Sequence, residues 1–134
     1  MSALDQIGIT VESTADSNGR AVLREIQQRL ERLMATGEES TIDLSRLPFG
    51  PGDHALLVKT LGEGEVQAQL NTLGATRVHE TAIAGVWWVT HCNADDEVMV
   101  EFIEITRCPA IMLTPQDDLQ EGVEALRTRL LNAE

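Results

Sequence analysis

The side chains that could ligate a metal or act as nucleophiles are three histidines and two cysteines: His54, His79, His91, Cys92 and Cys108. Metal-binding loops and helices use close pairs such as Cys-x-x-Cys or His-x-x-x-His, and neither spacing occurs in this chain. The adjacent residues His91 and Cys92 point to opposite faces if they lie on a strand. A nucleophile pair of Cys108 with a histidine brought in by folding stays open. We expect no metal ligand, no catalytic residue and no cofactor.

Glycines and carboxylates offer two further kinds of chemistry. Gly62-Glu63-Gly64 has the composition of a phosphate loop, but it follows a predicted helix and precedes a strand, which is the reverse of the order that phosphate loops need. Glu65, Glu80 and Glu101 could supply a carboxylate pair for acid–base catalysis. No sequence pattern for an electrophile, a metal site or a ligand pocket accompanies them, so we expect a protein that is not an enzyme.

Trp87 and Trp88 are neighbours in a chain that has two tryptophans, two phenylalanines and no tyrosine. On a strand, adjacent side chains point to opposite faces of the sheet. Either the sheet is covered on both faces, or one ring is exposed as an anchor for a partner. The sequence favours neither alternative.

The charge of the chain limits its partners. The 134 residues carry a net charge of −12, which argues against nucleic acid or an anionic membrane surface as a partner. Residues 78–106 contain six acidic residues and no lysine or arginine, which either keeps the strand faces solvated or attracts a basic segment of a partner. There is no apolar run of about 18 residues and no signal-peptide pattern, so we expect a cytoplasmic protein that does not insert into a membrane.

The helices that position these residues follow from capping and periodicity. We predict one domain over residues 1–134, in which residues 1–16 form a loosely ordered arm with a short edge strand at Ile7–Val11. Ser17 or Asn18 caps a first helix that ends at Gly37. A short helix follows Asp53, and a C-terminal helix begins after Thr114 and Pro115.

Alternating side chains predict the sheet. The predicted fold is α+β, with an antiparallel meander of four to five strands and with the N- and C-terminal helices packed on one face. The four strands of the meander are residues 65–72, 75–81, 86–92 and 97–106, and residues 42–44 extend it.

Two motifs in order carry a family resemblance. They are Leu61-Gly62-x-Gly64-Glu65-Val66 and Glu80-Thr81-x-x-x-Gly85-Val86-Trp87, preceded by Leu47-Pro48 and followed by Pro109. Over residues 44–110 the chain resembles the C-terminal domain of the HupH/HyaF family, which are expression and formation proteins encoded with uptake NiFe hydrogenases. The motif residues to which we assign a structural role are Gly62, Gly64, Glu65, Glu80, Thr81, Gly85, Trp87 and Pro109.

The resemblance implies an assembly factor that acts on the iron–sulfur small subunit of a hydrogenase before its export by the twin-arginine route. We therefore predict a chaperone-like accessory protein that binds the small-subunit precursor or another maturation factor. The alternative is a carrier of iron–sulfur or metal cargo that uses Cys92, Cys108 and the histidines. A homodimer through an apolar sheet face also stays open. For the partner contact we predict Trp88 as the exposed apolar anchor, with Glu80, Glu101 and Glu104 as the acidic residues.

Overall fold

The computed structural model describes the backbone of residues 3–71 and 73–133, and the side chains of these ranges from residue 18 onward. None of the helices in the described part of the chain is long and apolar enough to cross a membrane. The helices are α1 (Ala3–Thr36), α2 (Asp53–Leu61) and α3 (Gln116–Leu131), with single 3-10 turns at Leu44–Arg46 and Ala110–Met112. The strands are β1 (Ser40–Asp43), β2 (Gln67–Asn71), β3 (Ala75–Glu80), β4 (Val86–Cys92) and β5 (Val98–Ile105).

The five strands form one antiparallel sheet in the order β1-β5-β4-β3-β2. Strands β2 to β5 are a meander in which each strand pairs with the next along the chain. Strand β1 joins the free edge of β5, with Ser40 opposite Ile105. The predicted α+β class and the meander of four to five strands are confirmed.

Helices α1 and α2 cover one face of the sheet, which we call the helix face. Val22 and Ile26 are buried one helical turn apart on α1, and Leu57 and Leu61 of α2 are likewise buried. They pack against the inward residues of the sheet, which include Ile42, Val86, Trp88, Ile103 and Ile105.

A buried carboxylate joins α1 to α2. Asp53 is fully buried, and its Oδ1 accepts a hydrogen bond from Gly19 N at 3.1 Å. Its Oδ2 accepts from Gly50 N at 2.7 Å, in the turn before α2. A buried carboxylate with two donors avoids the cost of an unsatisfied charge, so Asp53 fixes both the start of α2 and its distance from α1.

The opposite face of the sheet, which we call the open face, has a second and smaller apolar cluster. Val78, Trp87 and Val89 are buried there, and the 3-10 turn after β5 places Met112 against them. Trp87 is 6% exposed and Trp88 is 4% exposed, one on each face. The sheet is therefore covered at both tryptophans, and the prediction that Trp88 is an exposed anchor is wrong.

The C-terminal helix differs from its prediction. No residue of α3 is buried, so the structure does not pack it on the sheet beside α1. The helix face is already filled by α1 and α2, and the chain has crossed to the open face at Met112, four residues before α3 begins. Four apolar side chains of α3 stay 50–64% exposed: Leu119, Val123, Leu126 and Leu130.

The N-terminal helix is longer than predicted. Helix α1 begins at Ala3, so the predicted strand Ile7–Val11 is wrong, and the side chains of residues 3–17 lie outside the described part. A helix satisfies its own backbone groups without a neighbouring strand. Asn18, a predicted cap, lies within the helix and donates a hydrogen bond from its side-chain amide to Pro48 O at 3.1 Å.

Candidate partner-binding surfaces

The two sequence motifs lie side by side at one end of the sheet. Gly64 N donates to Glu80 O at 2.7 Å, and Ala82 N donates to Leu61 O at 2.8 Å. A Cβ atom on Gly64 would lie 2.6 Å from Thr81 O, a distance that no side chain tolerates. Only glycine fits this approach of two backbones, which gives the first motif a structural reason for its composition.

The second motif shapes the loop between β3 and β4. Thr81 is 2% exposed, and its hydroxyl donates to Val86 O at 2.8 Å across the loop. Gly85 has φ +87°, and a Cβ atom there would lie 2.9 Å from Cδ1 of Leu30 on α1. Pro109, the last residue of the resemblance, is buried and precedes the turn that carries the chain to the open face. These motif residues hold backbone segments together.

Trp88 is the centre of a polar cluster at the rim of the helix face. Its Nε1–H donates to Oε2 of Glu101 at 2.7 Å. The ring of His54 meets the indole edge-on with the centroids 5.4 Å apart, and the ring of His79 stacks on it at 6.2 Å. Nε2 of His54 lies 3.2 Å from Oε1 of Glu101. We call these four residues the Trp88 cluster.

The carboxylate of Glu101 is fully engaged within the Trp88 cluster. Each of its carboxylate oxygens already faces a nitrogen, one from the indole and one from His54. The carboxylate therefore holds neighbouring rings in position and is not poised as a free base. The side chain of His54 is 53% exposed, so the cluster reaches solvent through the imidazole while the indole remains buried.

Trp87 is flanked by two glutamates on the open face. Glu80 of β3 and Glu104 of β5 are the residues paired with Trp87 in the two neighbouring strands. The indole Nε1–H donates to Thr106 O at 3.1 Å, and the Thr106 hydroxyl donates to Glu39. We call Glu80, Trp87 and Glu104, together with Glu39, the Trp87 row. It borders a small concavity of about 260 Å³ that is lined by Glu39, Ser40, Thr41, Glu104, Thr106 and Ala110.

The environment of Glu104 favours its protonated form. Partial burial raises the pKa of this carboxyl above its ordinary value of 4.5. The nearby His91 lowers the pKa by a smaller amount, and the negative charge of Glu39 raises it further. The open face thus holds the carboxyl groups of Glu104 and Glu39 close enough for each to act on the other.

The four predicted partner-binding residues do not lie on one surface. Trp88 and Glu101 are on the helix face, whereas Glu80 and Glu104 are on the open face. Positions 101 and 104 are three steps apart along the strand, and an odd number of steps places two side chains on opposite faces. The alternation of side chains along the strand is enough to separate Glu101 from Glu104.

An open apolar groove borders the open face at the motif end of the sheet. It runs between the C-terminal half of α1 and the loop between β3 and β4, and its volume is about 980 Å³. Met34 in its wall is 83% exposed, and Ile83 in the adjoining loop is 40% exposed. Glu80 and Arg107 supply charge at its rim. The apolar wall residues are Leu30, Leu33, Met34, Ala84 and Gly85.

The cysteines and histidines are dispersed. Cys92 is buried at one end of the β4–β5 hairpin, and Cys108 follows the other end. Nδ1 of His91 lies 2.8 Å from the hydroxyl of Thr76, on the face opposite to the Trp88 cluster. Among the described residues no group of three or more histidine, cysteine, aspartate or glutamate side chains could hold a metal ion.

Sequence reasoning missed the roles of His54, His79, Glu39 and Asp53. It treated the histidines as isolated, whereas His54 meets Glu101 across a separation of 47 residues. The register of β3 against β4 pairs His79 with Trp88, and paired residues of neighbouring strands lie on the same face of the sheet. Nothing local to Asp53 predicted its bond to Gly19, 34 residues earlier.

Comparisons with known proteins extend the resemblance over most of the chain. The sequence model described as HupH hydrogenase expression protein, C-terminal conserved region, matches residues 17–132. The chain is 34% identical over 101 residues to the hydrogenase expression/formation protein HoxQ of Azotobacter vinelandii, covering 75% of this chain and 35% of that protein. It is 31% identical over 110 residues to HupH of Rhizobium leguminosarum bv. viciae, covering 82% of this chain and 39% of that protein.

A solved structure agrees with the sequence comparisons. The hydrogenase expression protein HupH from Thiobacillus denitrificans superposes with a TM-score of 0.81 at 43% identity, covering 86% of this chain and 96% of that chain. The chain spans a little over a third of the length of the curated relatives, 35% and 39% for the two named above. Because the family model covers far more than half of the sequence, the chain belongs to the family of the C-terminal conserved region of HupH hydrogenase expression proteins.

Proposed function

We propose that this chain is a non-enzymatic accessory protein for the maturation of an uptake NiFe hydrogenase, and that it holds the precursor of the iron–sulfur small subunit. The observation that carries the proposal is the family match over residues 17–132, together with relatives that are named hydrogenase expression/formation proteins. In this proposal the chain acts by binding a partner protein. Its motif residues are assigned a structural role, because they hold backbone segments of the chain together.

The groove beside α1 supports a partner that is partly apolar and partly basic. Its wall exposes Met34 and its rim carries Glu80, and the Trp87 row continues the acidic surface toward Glu104 and Glu39. A twin-arginine signal peptide is basic at its start and apolar in its middle. Acidic groups would accelerate the encounter, and burial of the apolar segment would supply most of the affinity.

Trp88 has a different role in this proposal from the one the sequence suggested. The indole is buried and cannot serve as the anchor, so the apolar contact moves to the groove wall. Glu101 is occupied by the indole and His54, and it lies on the other face. The acidic residues that we assign to the partner contact are therefore Glu80 and Glu104.

The test is a binding titration of the purified chain with the purified small-subunit precursor, with and without its signal peptide. We expect binding to the intact precursor that weakens as salt rises, and markedly weaker binding without the signal peptide. Glu80→Lys and Met34→Glu should each raise Kd roughly tenfold, or about 1.4 kcal/mol. Both side chains reach solvent, so the fold should survive either change.

The matched control is Glu97→Lys, which makes the same charge reversal in the exposed hairpin before β5. This variant should bind like the wild type apart from a small loss that salt removes. Equal binding of both forms of the precursor would exclude the signal peptide as the contact. No binding of either form, by a chain that keeps its wild-type melting temperature, would refute the holding role.

A further inference from the structure

Helix α3 presents an apolar stripe that nothing in the described part of the chain covers. Leu119, Val123, Leu126 and Leu130 are 50%, 56%, 60% and 64% exposed, respectively. Their separations of four, three and four residues place them on one side of the helix. An isolated helix of 16 residues is marginal in water, so a helix of this kind usually gains its stability by burying its apolar side.

The stripe is symmetric along its own length. The separations are four, three and four residues from either end of the stripe. The stripe therefore matches a second copy of itself that runs in the opposite direction. In such a pair Leu119 faces Leu130 of the second copy, and Val123 faces Leu126 of the second copy. A contact that a surface makes with itself about a two-fold axis is the usual basis of a homodimer.

The charges on α3 favour the antiparallel direction. Its four acidic residues all lie within Asp117–Glu124, and its two basic residues, Arg127 and Arg129, follow them toward the C-terminal end. An antiparallel pair places the acidic part of each helix along the basic part of the other and also opposes the two helix dipoles. A parallel pair would bring the arginines of both copies together. At Gly122, beside the stripe, the space is open for a close approach.

We propose that α3 is a self-association element, and that two copies of this chain dimerise through an antiparallel pair of α3 helices. The stripe shares no residue with the Trp87 row or with the lining of the groove beside α1, so this inference does not rest on the proposed function. The stripe spans 11 residue steps, or about 16 Å of helix, which is short for a stable interface. The dimer should therefore form progressively as concentration rises.

Sedimentation equilibrium of the full chain over a range of concentrations tests the association. We expect the mass to rise from one chain toward two chains. Leu126→Glu should raise the dimer Kd at least about tenfold, because it places a charge at the centre of the stripe. The control Thr128→Glu adds the same charge on the side of α3 away from the stripe, and it should leave the dimer in place. Circular dichroism melting of each variant establishes that the sheet domain has kept its fold.

Spin labels test the direction of the pair in a Cys92→Ala, Cys108→Ala background. Labels at Gly122→Cys, beside the stripe and near its midpoint, should be close in the dimer. Labels at Gln116→Cys should be about 25 Å apart along the helix axis in an antiparallel pair, and close in a parallel pair. A monomer at every concentration, a dimer that survives Leu126→Glu, or short distances at both positions would overturn the proposal.

Discussion

Gly85 is the residue at which α1, the loop between β3 and β4 and the end of β5 come together. Its φ of +87° lies in the region that residues with a side chain disfavour. A Cβ atom at this position would lie 2.9 Å from Cδ1 of Leu30 on α1. Its carbonyl accepts a hydrogen bond from Thr106 N at 3.0 Å. The backbone conformation therefore favours glycine, and a Cβ atom would also displace the end of the Leu30 side chain.

Gly85→Ala should lower the free energy of unfolding by about 1–3 kcal/mol through backbone strain and contact with Leu30. The same exchange at Gly122, in the exposed middle of α3, should be neutral or should stabilise the helix by up to about 1 kcal/mol. Urea denaturation of the two variants measures the difference. Equal effects at the two positions would contradict the role assigned to Gly85.

Glu104 shows how burial of a carboxyl affects stability as a function of pH. Its folded-state pKa is raised above 4.5, chiefly by burial, so the folded chain binds more protons than the unfolded chain between the two values. Stability from this residue is therefore present below the unfolded pKa, and it is lost as the pH rises through the folded pKa.

Glu104→Gln should be more stable than the wild type at pH 7, because the neutral amide avoids the cost of burying a charge beside Glu39. The advantage should shrink as the pH falls and should vanish below about pH 4, where the carboxyl is protonated in both states. Thermal melting across this pH range gives the comparison. A variant that is less stable than the wild type at pH 7 would mean that the charged carboxylate is needed there.

At the scale of elements, α2 and α3 have similar apolar stripes and different surroundings. Leu57 of α2 is fully buried between α1 and the sheet, whereas Leu126 of α3 is 60% exposed. The stripes alone do not distinguish the two helices. Their contribution to stability depends on whether a surface is present to cover them.

Leu57→Ala should cost about 2–5 kcal/mol, because it removes buried methyl groups and leaves a cavity. Leu126→Ala should change the free energy of unfolding of the monomer by less than about 0.5 kcal/mol. Chemical denaturation at low protein concentration, where self-association is absent, tests both. A large loss in Leu126→Ala under these conditions would show that α3 packs on its own chain.

At the scale of the whole molecule, the sheet separates the groups that a metal-cargo carrier would have to bring together. Cys92 pairs with Val98 at one end of β5, and Cys108 lies beyond Ile105 at the other end. Seven or more residue steps along a strand separate them by roughly 20 Å. This distance is too long for both thiolates to ligate one cluster.

Protein purified without oxygen should contain far less than one equivalent of iron, nickel or zinc by elemental analysis. The thiols are held apart by the fold, and the histidines face different partners, so no set of ligands converges among the residues that the structure describes. The double variant Cys92→Ala, Cys108→Ala should give the same trace metal content as the wild type. A near-equimolar metal that disappears in this variant would restore the cargo-carrier hypothesis.

The amino-acid sequence by itself determined the strands of the meander, the ends of α1 and α2 at Gly37 and Gly62, and the two motifs on which the family resemblance rests. Each of these depends on residues that are near one another along the chain, either through alternation on a strand or through a glycine that ends a helix. Alternation also determines that Glu101 and Glu104 lie on opposite faces.

The tertiary structure alone decided which groups meet across the fold. The contact of His54 with Glu101, the bond from Gly19 to Asp53 and the burial of Trp88 all join residues that are far apart in sequence. It also decided that no described part of the chain covers α3, because α1 and α2 fill the helix face and the chain leaves β5 toward the open face. Local patterns give a helix its apolar side, but whether that side is buried depends on which elements already occupy the neighbouring face.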